Sequence, residues 1–122
     1  MRVLYVVQRY GREVAGGAER HCRQFATRLA HQGHDVEVLT TCARSYLDWA
    51  NEFEPGSSEV DWVVVHRLPT GRQRDLDLFG PLNGRVTWGE KPIALHVQEE
   101  WMRAQGPDVP GLLPFLDEHA GT

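Results

Sequence analysis

The chain has 122 residues, a net charge of −4, and 41% hydrophobic against 25% charged residues. These values bound it to one globular domain with room for a real core. With no block of one sign, the acidic balance excludes nucleic acid as a main partner, because phosphate binding needs a basic footprint. Cys22 and Cys42 lie in no CxxC or paired His/Cys spacing, which excludes a zinc framework and suits free thiols in a reducing compartment.

Residues 3–7 form a continuous apolar run, as in a central parallel strand covered on both faces. Met1 and Arg2 lead straight into it, and the run is too short to span a membrane. A cytoplasmic location is therefore expected, with peripheral membrane association left open. Residues 8–15 form a polar loop carrying Arg9 and Tyr10, which opens on Gly16 and Gly17. A helix is predicted over residues 17–32. Ala18, Cys22, Phe25, Ala26, Leu29 and Ala30 supply its apolar stripe, and Glu19, Arg20, Arg23, Gln24, Thr27 and Arg28 its solvent face. A glycine pair between strand and helix lets backbone approach a ligand closely, with unpaired helix N–H groups aimed at it. Such a junction suits a phosphate, provided the turn is open and faces the carboxyl ends of the strands. A tight turn with no ligand is the plainer alternative.

Gly33 stops the helix, and residues 36–40 read as a second strand, completing a right-handed βαβ unit. Arg44 and Trp49 then follow on the same carboxyl edge, where open α/β sheets bind ligands. Residues 45–51 read as a short helix capped by Ser45, and residues 53–59 as a surface turn around Pro55 and Gly56. Residues 60–68 read as the third strand. Residues 76–88 are weakened as a helix by Gly80, Pro81 and Gly84. Further helices are predicted over residues 92–105 and 112–119. The expected fold is α/β: a Rossmann-like, three-layer α/β/α arrangement around a short parallel sheet.

The histidines are scattered. His66, near a strand end, has no evident carboxylate partner in the sequence. Glu99 and Glu100 are adjacent on a helix, so they point about 100° apart and do not form an acid/base pair. No nucleophilic triad stands out, and no catalytic residue or metal ligand is assigned.

Three stretches carry a family resemblance. They are Gly16-Gly17-Ala18-Glu19-Arg20, the hinge Gly33-His34-Asp35-Val36, and the strand from Val60 through His66, Arg67 and Leu68 to Pro69. In this order they resemble the N-terminal part of the retaining glycosyltransferases of family 4, the group 1 enzymes of GT-B fold. The likeness is strongest over residues 1–68 and loosest over residues 76–93. It implies two Rossmann-like domains across a cleft, the first holding the acceptor and the second the donor nucleotide. It further implies transfer with retention and no dependence on a chelated metal or other cofactor.

On that resemblance Gly16 and Gly17 contact the diphosphate and sugar of a UDP- or GDP-linked donor. Arg9, Tyr10, Arg44 and Trp49 are candidates for contacts at the cleft edge, Trp49 suiting either a sugar ring or the core. Residues 1–122 would then be a partial, acceptor-side domain. Without a donor-binding domain it is expected to be inactive alone, and an exposed sheet edge would invite self-association. The alternative is a stand-alone Rossmann-like module that binds a nucleotide or a protein without catalysis.

Overall fold

The computed structural model describes residues 1–119. Strand β1 (Arg2–Val6) leads to helix α1 (Gly17–His31) and strand β2 (Asp35–Thr41). A hairpin of β3 (Gly56–Val60) and β4 (Val63–Leu68) follows, then helices α2 (Leu76–Trp88), α3 (Leu95–Gln105) and α4 (Leu112–His119). The four strands form one sheet in the order β1-β2-β4-β3, with β1, β2 and β4 parallel and β3 antiparallel to β4. The fold is Rossmann-like α/β, as expected, but its sheet is mixed rather than purely parallel.

The core lies between α1 and one face of the sheet. Register places Val3 beside Val36 and Tyr5 beside Val38, and Val38 beside Val65. Alternation sends these side chains to the α1 side. There Ala26, Val36, Val38, Val63 and Val65 are buried at 2% exposure or less, with Cys22, Leu29 and Ala30 packed against them. Each buried valine contributes about 1.5–3 kcal/mol of transfer free energy. The opposite face is covered only in part. Phe115 of α4 meets the His66 ring at 5.0 Å, whereas Leu4 and Val6 of β1 stay exposed. Among the described residues β1 is thus an edge strand with one open face, not the doubly covered central strand that its apolar run suggests.

The predicted surface turn at residues 53–59 contains β3, and the predicted strand over residues 60–68 is broken by a tight turn. Asp61 and Trp62 occupy the turn with φ of +50° and +67°. Two successive positive φ values match the right-handed strand twist, but a tryptophan in that conformation costs on the order of 1 kcal/mol. The Trp62 ring packs at a tilt against His31, with centroids 3.9 Å apart. The predicted helix over residues 45–51 is absent. A single turn closes there by Trp49 N–H donating to the Ser45 carbonyl, followed by a bridge between Ala43 and Asn51.

α2 forms despite Pro81 inside it, with Asp75 as N-cap accepting from the amides of Asp77 and Leu78. It packs on α3, where Trp101 Nε1 donates to Asn83 at 3.0 Å. Trp49 Nε1 and Arg74 Nε both donate to the Gln105 carbonyl, tying α3 to the loops after β2 and β4. Gly106 is required there. Its φ is +71°, and a Cβ would come within 3.0 Å of the Trp49 ring.

Candidate functional site

The loops after β1 and β2 meet the end of β4 at the carboxyl edge of the sheet, where the buried Arg9 and the half-buried Arg67 stitch them together. Arg67 donates to the Tyr10 carbonyl at 2.6 Å and to the Thr41 carbonyl at 3.2 Å. Its guanidinium lies 4.0 Å over the Phe53 ring, and burial pulls its pKa down. Thr41 Oγ1 donates to the Gln8 carbonyl at 2.6 Å. The edge on which the glycine turn sits is therefore built by β1, β2 and β4 together. Beside it, Val6, Leu39 and Leu68 face Pro107, Val109 and Leu112 across an apolar cavity of about 130 Å³.

Arg9, at 6% exposure, is the centre of the turn. Its Nη1 donates to the Arg44 carbonyl at 3.1 Å and its Nη2 to the Ala15 carbonyl at 2.9 Å. Nε and Nη2 both reach Glu19 Oε1, at 3.1 and 2.8 Å. Arg9 and Glu19 side chains are only 7% and 13% exposed, so the pair is charge-assisted and largely shielded from water. One guanidinium thus spans the loops after β1 and β2 and fixes the start of α1.

The two glycines differ. Gly16 is the N-cap of α1 with φ +141°, and no side chain caps the helix. A Cβ there would collide with Glu19 Oε2 and stand 3.1 Å from Arg9 Nη2. Gly17, the first helical residue, has nothing within 4 Å of its Cβ position. The junction therefore combines a helix N-terminus, a buried guanidinium and open space over Gly17. The protein's own Glu19 carboxylate covers Gly16. Glu19 stands three residues after the N-cap, the position from which an acidic side chain reaches back over a helix start. That spacing was the available signal that it leaves the predicted solvent face.

Tyr10 is not at the cleft edge. It is 1% exposed and belongs to the core under α1, where burial raises its pKa. Trp49 is likewise in the interior at 2% exposure, its indole N–H spent on Gln105. Arg44 is exposed and touches the site through its carbonyl. Of the cleft-edge candidates, then, only Arg9 and Arg44 join Gly16 and Gly17.

His66 has the carboxylate partner that the sequence did not reveal. Its Nε2 is hydrogen-bonded to Glu37 Oε1 at 2.7 Å, and its Nδ1 to the Ser57 hydroxyl at 2.7 Å. Glu37 and Ser57 lie 29 and 9 residues away and meet His66 only through strand pairing. The hydrogen bond from His66, aided by Arg2, holds the Glu37 carboxyl below its usual pKa. A carboxylate depressed in the folded state stabilises it above the unfolded value of about 4.3, and that contribution fades as pH falls through the lower folded value. Glu37→Gln should therefore cost on the order of 1 kcal/mol at neutral pH. It should also flatten the loss of stability on acidification, read as urea midpoints across the carboxylate range. An unchanged acid limb would show that the pair carries none of it.

Among the described residues no group of three or more His, Cys, Asp or Glu side chains is placed to hold a metal ion. No helix among them is long and apolar enough to cross a membrane. Burial pushes the thiols of Cys22 and Cys42 up.

No curated protein and no solved structure matches this chain. The family model described as "Glycosyl transferase 4-like domain" matches residues 16–112. The match opens on Gly16 itself and runs through β2, the β3–β4 hairpin, α2 and α3 to the first residue of α4. A glycine turn at the carboxyl edge of a Rossmann-like sheet and a family match over most of the length coincide, and the chain belongs to the glycosyl transferase 4-like domain family.

Proposed function

We propose that this chain is the acceptor-side part of a retaining, GT-B glycosyltransferase that moves a sugar from a UDP- or GDP-linked donor to an acceptor. A donor-binding domain elsewhere in the enzyme supplies the other wall of the cleft, and the 122-residue chain alone is inactive. The observation that carries this reading is the start of α1. An uncapped helix N-terminus and the buried Arg9 guanidinium stand beside the open space over Gly17. Diphosphate departure develops negative charge, and fixed N–H donors with a guanidinium stabilise it. Arg9 binds Glu19 at rest, so the donor phosphate displaces the carboxylate or binds beside it.

The test uses the enzyme that carries this domain together with its donor-binding domain, assayed with UDP- and GDP-hexoses. Turnover with neither donor class, and no binding of either, would overturn the reading. Gly17→Ala separates ligand contact from folding. Its methyl meets no protein atom, and alanine replaces glycine in a helix with a gain of up to about 1 kcal/mol. Stability should hold while transfer falls at least ten-fold, because the methyl enters the donor's space.

One observation favours a second reading. Glu19 closes the turn over Gly16, as it would in a Rossmann-like module that binds a nucleotide or protein without catalysis. That module would bind nucleotide measurably as the isolated chain, by calorimetry, whereas the acceptor-side domain binds it poorly.

A further inference from the structure

The outward face of α1 is basic and aromatic. Arg20, His21, Arg28 and His31 are exposed along it. The helix has one acidic residue, Glu19, and that turns inward to Arg9. Neither Arg20 nor Arg28 has an ion-pair partner among the described residues. In a chain of net charge −4 this is a local excess of positive charge. The nearby carboxylates belong to the hairpin. Asp61 is bound by Arg12, and Glu59 flanks His31 and Trp62.

Two exposed aromatic rings flank the arginines. Phe25, 51% exposed, packs against His21 with ring centroids 4.6 Å apart, and Trp62, 62% exposed, packs at a tilt against His31. Trp62 sits in the β3–β4 turn, and its ring lies beside α1 at His31. Arginines with aromatic rings at both margins match the layering of a membrane surface, where guanidinium groups meet lipid phosphates and rings sit among the headgroups. A nucleic-acid partner would ask for a basic balance that the chain lacks.

We propose that this face lays α1 flat on an anionic lipid bilayer, with Arg20 and Arg28 on headgroup phosphates and Phe25 and Trp62 as interfacial anchors. The glycine turn at the N-terminus of the same helix then lies at the membrane surface. Binding needs no sugar donor, so it stands or falls separately from the transfer reading.

The test is co-sedimentation of the chain with vesicles of phosphatidylcholine, and with vesicles in which one lipid in three is phosphatidylglycerol. Binding is expected to the second and not to the first, and to weaken as salt is added. Each arginine at an anionic surface is worth about five-fold in partitioning. Arg20→Ala with Arg28→Ala should therefore weaken binding about 25-fold, a product of two such factors. Arg85→Ala on α2 should change nothing. Both α1 arginines are exposed, so these variants keep the fold, and the salt titration needs no variant at all. No binding to the anionic vesicles, or binding that the double variant leaves intact, overturns the proposal. Equal or tighter binding to polyglutamate also overturns it, in favour of an acidic protein partner.

Discussion

Tyr10→Ala should lower the stability of the domain by about 3–5 kcal/mol, the range for emptying a fully buried aromatic site. The ring is 1% exposed and packs in the cluster that joins α1 to β2 and β4. Its loss leaves a cavity walled by strand valines that cannot collapse without moving the sheet. Tyr10→Phe keeps the ring and should cost less than about 1 kcal/mol. Urea unfolding followed by circular dichroism measures both. If Tyr10→Ala instead left the midpoint in place and weakened donor binding in the complete enzyme, Tyr10 would be a cleft residue and its place in the core would be wrong.

Arg9→Ala should cost about 3 kcal/mol, because removing one partner of a buried pair leaves the other charge without compensation. Here Glu19, 13% exposed, would lose both its contacts to Arg9, and the carbonyls of Ala15 and Arg44 would lose their donor. Arg9→Lys should recover less than half of that, since a single ammonium cannot reach three acceptors in a planar fork. Glu19→Gln acts differently. The amide keeps an oxygen for Arg9 but removes the negative charge over Gly16. It should cost on the order of 1 kcal/mol and raise affinity for inorganic pyrophosphate roughly ten-fold, removal of one like charge at short range being worth about that much. Calorimetry reads this directly on the 122-residue chain. Unaltered pyrophosphate affinity in Glu19→Gln would mean that Arg9 is purely a structural tie between loops.

Tyr10 and Arg9 are neighbours in one loop and carry opposite lessons. The loop itself, polar and opening on a glycine pair, is legible from composition. Which of its side chains face a ligand is not. Tyr10 turns under α1, where it packs in one cluster with the valines of β2 and β4. Arg9 turns to Glu19 because the helix start holds a carboxylate three residues in, which outweighs the repulsion of the helix's positive end. The hairpin shows the same limit. β3 is an exposed edge strand with no apolar alternation to betray it, and its turn contains no glycine, so residues 60–68 read as unbroken.

Local spacing was enough to announce the βαβ unit, the glycine turn and the family, because helix and strand periods and glycine punctuation act over a few residues. The tie of Trp49 to Gln105, the pairing of Arg9 with Glu19, and the union of Ser57, His66 and Glu37 depend on contacts between residues 9 to 56 positions apart. Such contacts follow from how the layers fit together, and that fit is a property of the packed whole rather than of any segment.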